Sequence, residues 1–254
     1  MTSAALRAGR GLVRDFGEVE KLQVSVKGPG DFVSRADIRA EETLRDDLLG
    51  ARPNYGWFAE ESEPVSGKDP TRRWIVDPLD GTTNFLHGLP FWAVSIALEH
   101  KDEIVAGVVF NPMTNELFVA ERGCGAWLND SRIRVSARRD TETMLFATTF
   151  AADAWLGQGQ TAETPSRRFP VNAGIRGWGS ASLNLAYVAA GRFDGFWESG
   201  IQAWDMAAGL LLVREAGGIV SAVQAGRSPI EDGSIIAASG YAFDRFSKLV
   251  GAAD

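Results

Sequence analysis

Four short runs rich in β-branched and aromatic residues follow one another between residues 92 and 130: WAVSIALEH, IVAGVVFNP, ELFVAER and AWLND. Only turn-forming stretches separate them, Lys101-Asp102-Glu103, Pro112-Met113-Thr114-Asn115 and Arg122-Gly123-Cys124-Gly125. Connections this short join antiparallel neighbours and leave no room for a crossover, so this part of the chain is a β-meander. Before it, Ala5, Gly9, Leu12 and Phe16 recur at helical spacing, predicting a helix over about 3–20. Ser34 can cap a second helix over about 36–50, with Asp37 in its first turn and Gly50 near its end. RRWIVDP, at 72–78, is a short strand that Pro78 is expected to stop. After residue 179 the pattern changes. GSASLNLAYVAAGR reads as a small-residue helix from Ser180 to Gly191, FDGFWES as a strand, WDMAAGLLLVREAGG as a helix and IVSAV as another strand. That alternation is an α/β unit. The stretch 151–174, richer in Ala, Gly, Thr and Pro, reads as loop with some helix. With no internal repeat and no long linker, the expectation is one compact domain over 1–254. Its α+β N-terminal lobe covers roughly 1–140 and its α/β C-terminal lobe roughly 141–254.

Charge and the scarcity of some side chains narrow the chemistry. The formal net charge is 26 − 33 = −7, which argues against nucleic acid as the main ligand. Only His87 and His100 are present, which argues against most zinc enzymes and against the Ser-His-Asp hydrolases. No GxxxxGK[ST] phosphate loop occurs, and the short Gly123-Cys124-Gly125 segment reads as a turn between strands. Cys124 is the sole cysteine, so no intrachain disulfide forms, consistent with a reducing cytoplasm. No run of about eighteen apolar residues is present, and the N-terminal stretch has helical spacing with no signal-peptide apolar core; neither a membrane span nor an export signal is expected. The chemistry is left to oxygen ligands.

Glu60-Glu61-Ser62 and the nine residues DPLDGTTNF at 77–85 supply those ligands. The flanks are apolar: Trp74, Ile75 and Val76 precede the second motif, and Phe85, Leu86 and the first meander strand follow it. Carboxylates near a core demand a partner, because burying unpaired charge is costly and like charges in one site repel. A salt-bridge network would interleave Lys or Arg, and 77–86 contains neither. A solvated loop would have polar flanks. Asp77 at a strand end and Asp80-Gly81 in a tight turn bring two carboxylates towards one point, beside the free N–H groups of a helix starting at Thr82. Carboxylates and an anion-binding helix start coexist if cations lie between them, as when magnesium-type ions bridge carboxylates and a substrate phosphate.

These motifs, with WDMAAGLLLVREAGG, resemble the inositol monophosphatase family of magnesium-dependent, lithium-sensitive phosphatases, over nearly the whole chain and in the same order. The resemblance implies a layered α-β-α-β-α sandwich of the sugar-phosphatase type, a homodimer, and two or three magnesium ions per site. Glu60, Asp77 and the Leu79 carbonyl would hold one ion; Asp77, Asp80 and Asp205 would hold a second, with Glu61 bound through water or supporting the shell. Glu60 and Thr82, the latter paired with Asp37, would orient the attacking water, with no covalent phosphoenzyme. Asp80, Gly81, Thr82 and Asp205 would also line the substrate site. Two departures stand out: Ala59 where many members have Gly, and Trp178 where smaller or polar residues are common.

The resemblance also bears on the ester. Glu198, after the FDGFW strand, matches the family position that hydrogen-bonds ring hydroxyls, and Arg176, Ser180 and Ala181 match others lining the pocket. The TNF ending of the turn is typical of the inositol phosphatase branch. Inositol monophosphate is therefore the expected substrate. Histidinol phosphate, fructose 1,6-bisphosphate and nucleotide 3′-phosphates are the alternatives, and a non-catalytic regulatory or binding protein on the same fold is the reading from another class.

Overall fold

The computed structural model describes residues 1–18, 24–28, 31–149 and 173–251. The expected loop with helix at 151–174 lies outside the described residues up to 172. The first helix, α1, spans Thr2–Phe16, ending four residues before its periodicity suggested, and Gly17 caps it. Strands β1 (Val24–Gly28) and β2 (Asp31–Ser34) form a separate antiparallel pair. Helix α2, Arg35–Ala51, starts at Ser34 with a capping box: the Ser34 hydroxyl accepts from Ala36 N at 3.1 Å while Asp37 accepts from Ser34 N at 3.0 Å.

A seven-stranded sheet follows in the order β3 (Gly56–Ala59), β4 (Arg72–Asp80), β5 (Ala93–His100), β6 (Glu103–Asn111), β7 (Glu116–Glu121), β8 (Gly125–Leu128) and β9 (Ser131–Ile133). The four meander runs are β5 to β8, all antiparallel. Only β3 pairs in parallel, with β4. Side chains alternate across the sheet, as the two-residue period of a strand requires. Trp74, Val76, Val94, Ile96, Val108 and Phe110 join one core cluster with α1 and α2. Ile75, Ala93, Ala97, Val109 and Phe118 join another on the opposite face.

That second face packs on α4 (Ala181–Ala189) and α5 (Ala203–Glu215), with the short helix α3 (Thr82–Leu86) placed between β4 and β5. In α5 nine of thirteen residues are buried, the signature of a helix enclosed between layers. Gly107 on β6 allows its close approach, since a Cβ there would lie 2.9 Å from the Ala208 carbonyl oxygen. Beyond α4 and α5 lies a five-stranded sheet, ordered β11 (Gly174–Arg176), β10 (Leu145–Thr148), β12 (Gly195–Ser199), β14 (Ser234–Ala238) and β13 (Ile219–Ser221). Its inner residues Ala147, Phe196, Ile235 and Ala237 belong to the same cluster as α5. Its outer residues Phe146, Ile236 and Ala238 meet Phe246 of helix α7 (Phe243–Val250), while the four-residue α6 (Pro229–Asp232) leads into β14. The layers therefore run α-β-α-β-α, as the resemblance implied. The small sheet is mixed, because β14 inserts antiparallel between β12 and β13.

Candidate active site

The acidic turn grows out of β4. Pro78 does not stop this strand, contrary to the sequence expectation: β4 runs on to Asp80. Asp77 pairs with Ser95 and Asp80 with Ala93, so three steps on β4 face two on β5, a bulge that accommodates the missing proline N–H. On the other edge β3 pairs with β4 only as far as Val76, so no strand asks Pro78 for a donor there. The bulge swings Asp77 and Asp80 together. Asp77 is 1% exposed and Asp80 8%, and Asp77 accepts from Leu79 N at 2.9 Å. Gly81 then turns the chain at φ 95°, where a Cβ would sit 3.0 Å from the Phe91 carbonyl oxygen and 3.3 Å from that of Gly179. Glycine is required here by both conformation and space.

Asp80 is anchored from the other lobe. Its Oδ2 accepts from the Ser180 hydroxyl at 2.6 Å, from Ser182 N at 2.7 Å and from the Ser182 hydroxyl. Asp205, in the first turn of α5, accepts from Gln202 N at 2.7 Å, which orients its carboxylate at the helix start. Asp77, Asp80 and Asp205 each present a ligand oxygen within 4.8 Å of the others. Glu60 follows β3, its N–H donating to the Val76 carbonyl at 3.2 Å. Its charge acts on both Asp77 and Asp205. Burial first, then Glu60, Asp80 and Asp205, push the Asp77 carboxyl well above the usual range. Asp205 is driven the same way by burial and by Asp80. Burial raises Asp80 as well, against the opposing bonds from Ser180 and Ser182 and the Ala181 backbone. No salt bridge among the described residues reaches these three aspartates. The donor set is all oxygen, convergent and short of positive charge, which fits a hard divalent cation.

Helix α2 supplies a second line of acids. The Thr82 hydroxyl lies 3.0 Å from both Asp37 Oδ1 and the Leu79 carbonyl oxygen, two acceptors for one proton. Asp37 is fully buried, and burial raises its pKa against the lowering bonds from Ser34 and Thr82. One turn on, Glu41 accepts from Glu61 N at 2.8 Å and so holds the Glu60-Glu61 segment. Ala59, the departure before Glu60, sits buried in β3 paired with Val76.

A family model described as "Inositol monophosphatase family" matches residues 1–252. The chain belongs to that family. An inositol-1-monophosphatase of Rhizobium meliloti (strain 1021) is 56% identical over 239 residues, covering 93% of this chain and 89% of the relative. A protein of Escherichia coli (strain K12) named Nus factor SuhB is 44% identical over 234 residues, covering 92% and 88%. Among solved structures, the extragenic suppressor protein suhB from Bartonella henselae superposes with a TM-score of 0.93 at 51% identity, covering 98% of this chain and 96% of that one.

The positions that this family resemblance singled out for substrate divide into two groups. Glu198, at the end of β12, accepts from the Thr149 hydroxyl at 2.9 Å. Burial, aided by the charge of Asp80 and opposed by the Thr149 bond, pushes its pKa up to about 7. Ser180 and Ala181 stand at the start of α4 against Asp80. Arg176, on the edge strand β11, donates to the Ile175 carbonyl at 3.2 Å and has no ion pair with the cluster among the described residues. Trp178 is engaged in an aromatic group, its ring centroid 4.7 Å from that of Phe91 and 5.5 Å from that of Phe193. Sequence reasoning found Ser34 only as a helix cap, and missed its bond to Asp37 together with Glu41, Asn84, Thr149 and Ser182 as supports. Asn84 donates to the carbonyls of Phe91 and Trp178, at 2.8 and 2.6 Å, tying the acidic turn to the segment before α4. Ser182 lay in view within GSAS, two residues after the cap, but nothing local linked it to Asp80.

Proposed function

We propose that this chain is a magnesium-dependent phosphomonoester hydrolase acting on inositol monophosphate, its 254 residues forming one phosphatase unit that assembles as a homodimer. The observation that carries the reading is the convergence of Asp77, Asp80 and Asp205 within 4.8 Å from two lobes, without a cationic side chain among the described residues to balance them. Glu60, Asp77, Asp80, Asp205 and the Leu79 carbonyl are the ligands for magnesium, with Glu61 in support. Bound there, magnesium supplies positive charge that makes water a better nucleophile and offsets the charge of the phosphate and departing alkoxide. Thr82 orients the water by accepting from it while donating towards Asp37; Glu60 shares this task. The water oxygen bonds to phosphorus and gives up a proton, the ester P–O bond breaks, and the alkoxide takes up a proton in its place, so that one water is consumed and the alcohol and inorganic phosphate are released. Gly81 and Thr82 offer backbone N–H groups to the phosphate. Glu198 reads ring hydroxyls, with Arg176, Ser180 and Ala181 lining the site.

A regulatory or binding role on the same fold is the second reading, and the relatives named Nus factor SuhB favour it. The complete acidic set argues that turnover is retained. Phosphate release from inositol, histidinol, fructose and adenosine phosphates, with magnesium and with chelator, tests the proposal. Expected are strict dependence on magnesium, inhibition by lithium and fastest turnover of inositol monophosphate. Full activity after exhaustive chelation would remove the metal assignment, and equal rates on all esters would remove the substrate assignment.

A further inference from the structure

The two lobes each contribute ligands to one acid cluster, so something must set the separation between Asp77 on the large sheet and Asp205 on α5. Ser95 is placed to do this. It is the register partner of Asp77 on β5 and is 1% exposed. By strand alternation it shares a face with Ala93 and Ala97, which pack in the cluster containing α5. Its hydroxyl donates to the carbonyl of Trp204 at 3.1 Å, across 109 residues of sequence. Trp204 immediately precedes Asp205, and its indole packs edge-on against Phe58 of β3 with centroids 5.1 Å apart. Residue 204 is thus tied to β3 and to β5, the strands on either side of the one that carries Asp77 and Asp80. A hydroxyl buried in the otherwise apolar run AVSIAL costs stability unless it is bonded, and this one is bonded beside the metal-ligand helix turn.

We propose that Ser95 is a positioning residue for the metal site: its bond to Trp204 holds the first turn of α5 so that Asp205 meets Asp77 and Asp80 at the distance a shared cation needs. This rests on the metal reading above. Losing the bond lets the α5 start drift from β4 and weakens cation binding, while the residues that handle the water stay in place.

The test compares chelator-stripped wild type, Ser95→Ala and Leu12→Ala by calorimetric titration with magnesium chloride, alongside kcat and KM for inositol monophosphate as a function of magnesium. Leu12 is buried on α1, on the opposite face of the large sheet, and its truncation supplies a destabilised control. Ser95→Ala is expected to bind magnesium about three- to tenfold more weakly, the range one net hydrogen bond commands. Its kcat should recover to within about twofold at saturating magnesium, because the bond acts through ligand placement alone. Leu12→Ala should bind magnesium as wild type does. Unchanged magnesium affinity in Ser95→Ala overturns the proposal and leaves the metal reading standing, and so does an equal loss in Leu12→Ala. Absence of magnesium binding in wild type overturns both.

Discussion

Without magnesium, the acid cluster should make this protein less stable as pH rises through neutrality, the reverse of ordinary acid denaturation. Glu198 allows the size to be worked out. Its carboxyl moves from 4.5 to about 7 on folding, chiefly through burial. A carboxyl with a higher pKa folded than unfolded holds its proton preferentially in the native state. Its contribution is therefore full below pH 4.5 and lost as pH rises through about 7. A shift of about 2.5 units at 1.36 kcal/mol per unit is worth about 3 kcal/mol between pH 4.5 and 8. For a chain of this length, that corresponds to a fall in Tm on the order of 6–12 °C. Asp77, Asp80 and Asp205 shift the same way and deepen the slope. Magnesium at about a hundred times its Kd would return about 2.7 kcal/mol at neutral pH. The assay is urea unfolding in chelator from pH 5 to 8, for wild type and Glu198→Gln. Gln keeps the shape and cannot ionise, so its curve should lose about 2.5 kcal/mol less over that range. Identical slopes for the two proteins, or a wild-type stability that climbs towards pH 8 in chelator, would refute the electrostatic argument.

Asp77→Asn removes the charge at the centre of the cluster, so magnesium binding and phosphate release should vanish together while the chelated protein gains stability at pH 8; calorimetry and unfolding read both. Thr82→Ala should leave magnesium binding near wild type and lower kcat by about 10²–10⁴-fold, the usual worth of a group that positions a proton transfer. Wild-type turnover in that variant would remove Thr82 from the mechanism. Gly81→Ala places a Cβ at φ 95°, 3.0 Å from the Phe91 carbonyl oxygen, and should cost about 1–3 kcal/mol of stability. Unfolding midpoints at fixed magnesium check it.

Local pattern was enough for much of this molecule. The meander strands, the helix capped by Ser34, the helices that begin after Ser180 and carry Asp205, and the tight turn at Asp80-Gly81 all sit where their own residues put them. Periodicity, caps and turn chemistry act within a few residues, so they can be read along the chain. Other features depended on neighbours distant in sequence. Strands such as GWFA at 56–59 and SIIAA at 234–238 are too short for a decisive period, and hydrogen bonds from adjacent strands make them strands. Pro78 continues β4 because one edge has lost its partner and the other bulges, neither of which a proline reports. Likewise Asp80 acquires its serine donors, and Asp205 its place beside Asp77, only when α4 and α5 are enclosed between two sheets. The acids were visible in sequence because their residue types are costly near a core. Their supports, Ser95, Ser182, Thr149 and Glu41, are residues that fit many surroundings, and packing alone assigns them these contacts.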